Sequence, residues 1–377
     1  MKVAIVTIND YENYGNRLQN YALEKILSLN KIEVSTLVEC HRTIKEHFVL
    51  FLISIIYVIV HIVPDQFVKG SLKKVKHKAS LFFRRKNMIK FSHKNINERK
   101  IRTKDISTDI NSEFDLFVAG SDQIWNTNFW KKEDEYWKAN NYLLKFSNPI
   151  KRVAYAASIG KESIDSKWIP VFIKELSRFQ AISVREESAK RVIEGLPVNK
   201  NIDIVLDPTL LINPEEWRCV IPARYSEYCK KHGEYLFVFF LGNIEADVNE
   251  FISKISKEKK MKIIDINSYC NKKMSECDPF EFITWIHNAK FVITDSFHAT
   301  VFSILFEVPF LVMERRQTKY SDMSTRIASL LNITKLTDRY NNIDESIISK
   351  CNFVQSRNIL KQARKESLTW LLSALNM

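Results

Sequence analysis

The sequence contains only six cysteines in 377 residues, with no CxxC pair and no cluster of histidines beside them. They are scattered along the chain, at Cys40, Cys219, Cys229, Cys270, Cys277 and Cys351. This spacing argues against a structural zinc site, whose ligands come in closely spaced pairs. It is typical of reduced thiols in a cytoplasmic protein, where disulfides are rare.

Several catalytic and nucleotide-binding motifs are also absent. The chain has no P-loop, no Ser-His-Asp spacing and no metal-binding motif, so nothing supports those chemistries. The helix start at residues 13–20 has a single glycine where a dinucleotide-binding fingerprint has three. The apolar run at residues 2–8 is too short and too weakly flanked for a signal peptide. We therefore expect a cytoplasmic protein with no metal and no cofactor.

The longest apolar run, residues 48–63, is shorter than the roughly 18–20 residues that a membrane-spanning helix needs. Residues 69–104 follow it with 14 Lys and Arg against the single Glu98. A short apolar helix followed by basic sequence is typical of an interfacial anchor on an anionic membrane surface. For residues 48–104 we prefer that interpretation to a buried helix with solvated charges, and to a true transmembrane helix.

The basic charge is confined to this one segment. The formal net charge of the chain is +13, and Lys and Arg balance Asp and Glu outside residues 69–104. A nucleic-acid-binding protein that uses this segment is a competing interpretation. We disfavour nucleic acid as a partner, because the segment follows a strongly apolar run and no known nucleic-acid-binding module is visible.

Strand and helix signals alternate along most of the chain, which is typical of parallel sheets joined by helical crossovers. Strands are predicted at residues 2–8, 32–38, 114–119, 152–156, 181–184, 203–206, 235–241, 262–266, 291–294 and 310–313. Helices are predicted from Arg17 onward, after Glu186, and at residues 168–179, 246–259, 279–288, 299–306 and 355–375. We expect an α/β fold with two Rossmann-like, doubly wound domains that face each other across a cleft.

The boundary between these domains is predicted near residues 207–214, where Pro208, Asn213 and Pro214 interrupt the pattern. The N-terminal domain then covers residues 1–212, with an apolar and basic insertion at about residues 40–110. The C-terminal domain covers residues 213–354. An amphipathic helix within residues 355–377 could fold back onto the first domain.

Ligands of open α/β sheets bind beyond the carboxyl ends of the strands, and four polar clusters fall at such positions. They are residues 13–17, 120–123, 185–186 and 295–298. The last cluster is the strongest candidate, because a strand that ends and at once starts a helix presents bare N–H groups and a positive dipole to an anion. Strand ends that face one cleft would bring all four clusters together.

Three side chains in these clusters could carry chemistry. His298 could donate a proton to a bound phosphate or carboxylate, or could be a core histidine bonded to a carbonyl. Arg185 could bind a carboxylate or phosphate through its two-pronged donors, or could pair with Glu186 or Glu187. Asp122 could bind sugar hydroxyls or accept a proton, or could cap a turn.

Further polar residues in the same clusters are candidates for substrate binding. Asn16 and Gln19 could hydrogen-bond a hydroxylated or anionic ligand, or could serve as ordinary helix-capping residues. We add Arg17, Ser121 and Ser296 to this set of substrate-binding candidates.

Six blocks of sequence, taken in order, resemble one known family. They are residues 13–23 (NYGNRLQNYAL), 114–125 (FDLFVAGSDQIW), 152–160 (RVAYAASIG), 182–186 (ISVRE), 206–212 (LDPTLLI) and 294–304 (TDSFHATVFSI). They span most of the chain outside residues 40–110 and the tail, and as a set they are quite specific. The chain resembles the polysaccharide pyruvyl transferase family.

This resemblance implies two Rossmann-like domains arranged as in GT-B glycosyltransferases. It also implies phosphoenolpyruvate as donor and a sugar of a surface polysaccharide, or its polyprenyl-linked precursor, as acceptor. Members place an Arg and a His in the donor pocket, and by motif these are Arg185 and His298. Several members carry Arg-Leu-His where this chain has Ser296, Phe297 and His298, and others carry Gly where this chain has Ala299.

The implied reaction forms a ketal between the pyruvyl carbon and two sugar hydroxyls. Arg185 and the helix start after Ser296 would hold the anion, His298 would be the acid, and Asp122 would accept a proton. Residues 48–104 would place the enzyme peripherally at the inner face of the cell membrane, where lipid-linked acceptors lie. The alternatives are a GT-B-type glycosyltransferase that uses a nucleotide sugar, and a catalytically silent scaffold.

Overall fold

The computed structural model describes residues 1–39, 71–101, 110–130, 135–267, 276–315, 324–348 and 351–376. The apolar run at residues 48–63 lies outside these ranges, so the anchor predicted for residues 48–104 stays a prediction. Among the helices within the ranges, none combines the length and the apolar character that crossing a bilayer requires.

Seven strands form the first sheet. They are β1 (Lys2–Val6), β2 (Glu33–Glu39), β3 (Glu98–Ile101), β4 (Leu116–Asp122), β5 (Arg152–Ala157), β6 (Ala181–Val184) and β7 (Ile202–Ile204). All pair in parallel, in the order β3-β2-β1-β4-β5-β6-β7. The central strands β4 and β5 are buried along their whole length, as expected where helices cover both faces of a parallel sheet.

Four parallel strands form the second sheet. They are β8 (Tyr235–Phe239), β9 (Lys262–Asp265), β10 (Phe291–Thr294) and β11 (Phe310–Val312), in the order β11-β10-β8-β9. Side chains that follow the carboxyl ends of strands from both sheets line one cavity, as in a GT-B-like arrangement. The predicted fold class is therefore confirmed.

The helices that connect these strands are numbered here in chain order. They are α1 (Tyr14–Leu29), α2 (Ser71–Asn95), α3 (Ile110–Glu113), α4 (Glu135–Tyr142), α5 (Ile169–Leu176), α6 (Glu187–Glu194), α7 (Pro208–Leu211), α8 (Pro214–Val220), α9 (Ala223–Lys230), α10 (Ala246–Glu258), α11 (Pro279–His287), α12 (Phe297–Phe306), α13 (Ser324–Thr334) and α14 (Val354–Asn376). Most predicted elements lie within a few residues of these bounds.

Helix α1 begins at Tyr14, three residues before the predicted start at Arg17. The side chain of Asn13 caps it by accepting a hydrogen bond from the backbone N–H of Asn16 at 3.2 Å. Gly15 and Asn16 therefore belong to the first helical turn and not to a loop, which brings them against the strand ends.

Strand β4 continues through Gly120, Ser121 and Asp122, which the sequence analysis placed beyond the strand. Gly120 is required there, because a Cβ at this position would lie 2.2 Å from the carbonyl oxygen of Tyr155 on the neighbouring strand. Asp122 still pairs with Ala157 of β5, so its carboxylate stands at the last position of a buried strand.

Helix α2 carries part of the basic segment and packs against the rest of the molecule. Met88 and Phe91 are buried in the core. Arg84 donates hydrogen bonds to the carbonyl oxygen of Ile266 at 2.7 Å and to the side chain of Asn267 at 3.0 Å. Helix α2 therefore ties the first sheet to the second, while it exposes a row of lysines at Lys86, Lys90 and Lys94.

Helix α14 contacts the N-terminal half of the chain. The indole N–H of Trp370 donates to Asp203 at 2.7 Å, and the hydroxyl of Ser367 accepts from the backbone N–H of Leu206 at 3.0 Å. These contacts lie on the last strand of the first sheet and the segment after it. The domain boundaries at residues 212 and 354 remain a prediction.

Candidate active site between the two sheets

A cavity of about 550 Å³ lies where the carboxyl ends of the two sheets meet. Its lining residues include several that follow or end strands of the two sheets, among them Thr7, Glu39, Asp122, Leu241, Ser296 and Arg315. Cavities at strand carboxyl ends are the usual ligand sites of this architecture. Of the residues predicted from the sequence, those that line the cavity are Asn16, Asp122, Ser296 and His298.

Asp122 stands at the wall of this cavity in a strained conformation. Its φ is +69°, a left-handed value that is uncommon for a residue other than glycine. The carboxylate accepts a hydrogen bond from the Asn16 side chain at 3.1 Å and one from Arg185 at 2.9 Å. Burial raises the pKa of this carboxyl, but Arg185, His298 and Arg326 outweigh burial and hold the pKa well below its ordinary value.

Arg185 lies directly behind the cavity wall, on the residue after β6. Its guanidinium donates to both Asp122 and Asp207, and its Nε lies 3.7 Å from Glu186. Burial lowers the pKa of Arg185, but the neighbouring carboxylates Asp122 and Asp207 raise it overall. The sequence analysis offered an ion pair with Glu186 or Glu187 as the alternative role of Arg185, and the pair with Glu186 is present. The shorter contacts with Asp122 and Asp207 were not predicted.

Asp207 completes this buried charge cluster. It also accepts hydrogen bonds from the hydroxyl of Thr209 at 2.6 Å and from that of Ser121 at 3.2 Å. Burial raises the pKa of Asp207, whereas Arg185 and His298 lower it overall. The cluster Asp122–Arg185–Asp207 is thus a fixed ionic framework under the cavity floor.

His298 is the second residue of α12, a helix that Ser296 caps by accepting from the N–H of Ala299 at 3.4 Å. The Nε2 atom of His298 is buried 3.9 Å from Asp207 and has no hydrogen-bond partner among the described residues. Burial lowers the pKa of His298 to about 4, although Asp207 and Asp122 favour its charged form. The imidazole is therefore neutral at pH 7 in the unliganded site.

Gly15 of α1 sets the position of this imidazole. A Cβ at residue 15 would lie 1.9 Å from Nδ1 of His298, so the ring fits only against a glycine. The ring also meets Phe297 edge to face, with centroids 5.2 Å apart. Helices α1 and α12 thus hold the imidazole between them.

Two arginines that line the cavity were missed by the sequence analysis. Arg315 follows β11 and donates through Nε to Asp295 at 2.9 Å. Arg326 lies in α13, and its Nη1 is 4.0 Å from Asp122. Burial and the neighbouring Arg185 lower the pKa of Arg326 to about 10. Arg315 could have been found by looking for polar residues after β11, as was done for β1, β4, β6 and β10.

Phe297 connects two of the guanidinium groups. Its ring centroid is 4.7 Å from the guanidinium carbon of Arg185 and 5.5 Å from that of Arg326. Cation–π contacts at such distances orient planar guanidinium groups. The ring of Phe297 thus positions both guanidinium groups at the edge of the cavity.

The other predicted contact residues lie behind the wall. The guanidinium of Arg17 is held by the carbonyl oxygen of Ile8 at 2.7 Å and by Asn16 at 2.8 Å. Gln19 donates to the hydroxyl of Thr7 at 3.0 Å, and Ser121 is buried against Asp207. In this geometry these three side chains support the cavity wall, and direct contact with a ligand stays a prediction for them.

Within the described ranges, no three His, Cys, Asp or Glu side chains are grouped as a metal ion would require. The charged groups of the site are instead paired carboxylates and guanidiniums around one imidazole. Such a site can bind a small, multiply charged anion and deliver or accept one proton.

Comparisons with known proteins add three findings about folds. A putative UDP-N-acetylglucosamine 2-epimerase from Listeria monocytogenes is similar, with 11% identity, a TM-score of 0.49, and coverage of 100% of this chain and 95% of that one. The UDP-GlcNAc 2-epimerase of Neisseria meningitidis has 12% identity, a TM-score of 0.45, and coverage of 98% and 100%. MurG of Acinetobacter baumannii has 10% identity, a TM-score of 0.39, and coverage of 100% and 99%. A shared architecture leaves activity open, because one fold hosts many functions.

Two comparisons concern the sequence itself. No curated protein matches the chain. The family model described as polysaccharide pyruvyl transferase matches residues 13–316, which include every strand from β2 to β11 and the cavity residues discussed above other than Thr7 and Arg326. The resemblance noted from the six sequence blocks is thereby confirmed, and the chain belongs to the polysaccharide pyruvyl transferase family.

Proposed function

We propose that this protein transfers a pyruvyl group from phosphoenolpyruvate to a sugar of a surface polysaccharide or its lipid-linked precursor. The family supports a transferase of polysaccharide biosynthesis. The observation that carries the donor assignment is that Arg315, Arg326 and the start of α12 line the same cavity as His298. Together they offer two cations, a helix N-terminus and a proton-carrying group to one small anion.

The donor anion fits between Arg315, Arg326 and the first turn of α12. Phosphoenolpyruvate carries a phosphate and a carboxylate, and guanidinium groups bind either one through paired N–H donors. Helix α12 adds backbone N–H groups and its positive end. In this proposal Arg185 acts from behind the wall, because its donors already serve Asp122 and Asp207. Arg326 supplies the cation that several family members carry at the position of Ser296.

The reaction forms two carbon–oxygen bonds and breaks one. A sugar hydroxyl attacks C2 of the donor while a proton is delivered to the methylene carbon. The tetrahedral intermediate then loses phosphate, and a second hydroxyl attacks C2 to close the ketal ring. The proton of the first hydroxyl balances the one added to the methylene carbon, and that of the second leaves with phosphate. The oxocarbenium ion that remains at C2 when phosphate leaves must be captured by the second hydroxyl before water reaches it.

His298 is the proposed acid, and we propose that it becomes protonated when the donor binds. The imidazole is neutral in the empty site because burial lowers its pKa to about 4. A phosphate and a carboxylate beside it favour the charged form, with Asp207 behind the ring. Donor binding should therefore be accompanied by uptake of a proton, which calorimetry in buffers of different ionisation enthalpy measures.

Asp122 is a weak base, since its pKa is held low, and its proposed part is to orient Arg185, Arg326 and a sugar hydroxyl.

Phosphate release from phosphoenolpyruvate tests the proposal. The enzyme is incubated with the donor and a panel of polyprenyl-linked and nucleotide-linked sugars, and His298→Asn serves as the comparison. Release that depends on one acceptor, and that falls at least about a hundredfold in the variant, supports the proposal. A protein that binds nucleotide sugars but not phosphoenolpyruvate would be the alternative glycosyltransferase. Phosphate release that His298→Asn leaves unchanged would contradict the role of the imidazole.

The acceptor side of the proposal includes the membrane. We propose a peripheral position at the inner face of the cell membrane, where the acceptor would be lipid-linked and the basic segment would face anionic headgroups. The lysine row of α2, at Lys86, Lys90 and Lys94, belongs to the described part of that segment and is exposed to solvent.

A further inference from the structure

The cavity has two chemically different ends. The N-terminal half of the chain contributes an aromatic end, defined by Tyr11, Phe129, Trp130, Trp137 and Tyr142. The C-terminal half contributes Arg315 and Arg326. A small recess beside Trp137 and Tyr142 is also lined by Glu39, whereas another recess joins Arg315 and Arg326 with Asp295. The aromatic and cationic surfaces therefore lie on different sides of the site.

The rings of the aromatic end are held in place by their own contacts. Trp130 stacks on Phe172 with centroids 5.8 Å apart, and its indole N–H donates to the carbonyl oxygen of Ile124 at 3.1 Å. Trp137 is half-buried and meets Tyr142 edge to face at 6.1 Å. Rigid aromatic faces suit a pyranose ring, because its axial C–H bonds carry partial positive charge toward the negative face of the π-system.

The charges at this end are mostly negative. Glu39 lines the cavity beside Trp137 and Tyr142, and Asp10 lines it next to Tyr11 in the chain. Lys138 also lines it, and its Nζ donates to the carbonyl oxygen of Phe129 at 2.6 Å, so two carboxylates stand against one ammonium group. Carboxylates accept hydrogen bonds from sugar hydroxyls and attract an ammonium group, whereas they repel another carboxylate. A uronic acid would therefore enter this end against like charge.

We propose that the aromatic end is the acceptor subsite and that Asp10 and Glu39 make it select a neutral or amino sugar over a uronic acid. This inference rests on the proposed function, because it places the sugar hydroxyls toward a donor held by Arg315 and Arg326. The selection combines a stacking surface, which accepts any pyranose, with a repulsive element, which rejects acidic ones.

Binding of small glycosides to the full-length protein tests the inference without turnover. Saturation-transfer NMR and tryptophan fluorescence would compare methyl glucoside, methyl glucosaminide and methyl glucuronide. We expect the first two to bind at least about tenfold more tightly than the glucuronide. Glu39→Gln should shrink that difference, and Trp137→Ala should weaken binding of the neutral glycoside about tenfold.

A matched control lies next to Trp137 on the same helix. Tyr136 is 77% exposed and does not line the cavity, so Tyr136→Ala should leave glycoside binding unchanged. Thermal melts would verify that each variant is folded. Equal or tighter binding of the glucuronide, or full binding by Trp137→Ala, would overturn the inference. A separate titration of the unmodified protein with phosphoenolpyruvate tests the donor proposal. If the protein binds the glycosides as expected but does not bind phosphoenolpyruvate, only the donor proposal is refuted.

Discussion

Arg326 differs from the other arginines of the site in its surroundings. The neighbouring carboxylates raise the pKa of Arg185, whereas the buried Arg326, whose Nη1 lies 4.0 Å from Asp122, has a lowered pKa. Burial and Arg185 lower the pKa of Arg326, which means that the empty site disfavours its charge. A bound anion would stabilise the charged form of Arg326, and the same attraction would strengthen binding of the anion.

Replacing Arg326 should therefore weaken donor binding. We expect Arg326→Met to raise the dissociation constant of phosphoenolpyruvate about 10-fold to 100-fold, the usual effect of losing charge-assisted hydrogen bonds. Calorimetric titration measures it. Arg191→Met is the control, because the Arg191 side chain is 63% exposed and pairs with Glu162 at the surface. If the two variants bind phosphoenolpyruvate with equal affinity, Arg326 does not contribute to the donor site.

His298 should make the stability of the unliganded protein depend on pH. Its pKa is about 4 in the folded protein, below the 6.5 that an unperturbed histidine has, because burial disfavours the charged ring. Between these values the unfolded chain binds a proton that the folded protein does not, so stability rises with pH from about 4 to 6.5. The contribution is at most about 1.4 kcal/mol per pH unit.

Denaturant unfolding at several pH values checks this slope. The variant His298→Asn replaces the ring by a smaller polar amide that does not titrate in this range. The stability difference between the unmodified protein and the variant should therefore increase from pH 4 to 6.5 and level off above it. The carboxylates Asp122 and Asp207 have lowered pKa values, so their effects fall below pH 4. A difference that stays flat across the range would mean that the imidazole is not buried as described.

The strand-end rule located the site but not the direction of its side chains. Residues 120–123, 185–186 and 295–298 do converge, because carboxyl ends of parallel strands share one edge. Arg185 nevertheless turns away from the cavity, since two buried carboxylates attract it more strongly than solvent does. Arg326 could not be predicted, because no strand directly precedes α13 in the sequence pattern and only tertiary packing brings it to Asp122.

Among the elements, helices α1 and α12 pack closely at Gly15, which has no side chain. Gly15 lies in the first turn of α1, where alanine would ordinarily stabilise the helix by about 1 kcal/mol. Here its Cβ would overlap the imidazole of His298, at 1.9 Å from Nδ1. The two helices can pack as they do only while residue 15 has no side chain.

Gly15→Ala should therefore impair function while Gly195→Ala does not. In Gly195, at the end of α6, φ is −74° and a Cβ would make an ordinary 3.4 Å contact with Arg191. We expect the Gly15 variant to lose at least about tenfold in phosphate release and to melt at a lower temperature, because the ring must leave its position. Phosphate-release assays and calorimetric melts would measure both. A Gly15 variant as active as the Gly195 variant would show that His298 has another place to go.

Element bounds were predictable where local signals were sharp. Strand β10 (Phe291–Thr294) has its predicted bounds, since Lys290 and Asp295 flank a short run of three apolar residues and one threonine. Helix α1 was predicted to begin three residues late, because Asn13 was assigned to a polar loop when it is the cap. Gly120 to Asp122 were assigned to a loop for their polarity, but burial between β1 and β5 keeps them in β4. Backbone hydrogen bonds to β5 thus extend β4 through these residues although two of their side chains are polar.

On the scale of the whole molecule, one hydrophobic core joins the two sheets. It includes Val118 of β4, Phe237 of β8, Met88 and Phe91 of α2, and Leu371 of α14. The basic helix α2 is thus part of the core as well as of the surface. Deleting residues 48–104 would open this core, so a test of membrane binding must change only exposed charges.

Reversing the lysine row of α2 is such a test. Lys86, Lys90 and Lys94 are four residues apart on one helix face and exposed, and basic residues near an anionic surface act additively. We expect the triple change to Glu to reduce binding to phosphatidylglycerol vesicles at least about a hundredfold in a sedimentation assay. The same reversal at three exposed lysines of the segment ending α10, Lys257, Lys259 and Lys260, is the matched control and should reduce binding much less. If both triple variants bind equally, only the net charge matters and α2 is not the docking face. If the unmodified protein does not bind at all, the proposed peripheral position is wrong and the acceptor must reach the aromatic end from solution.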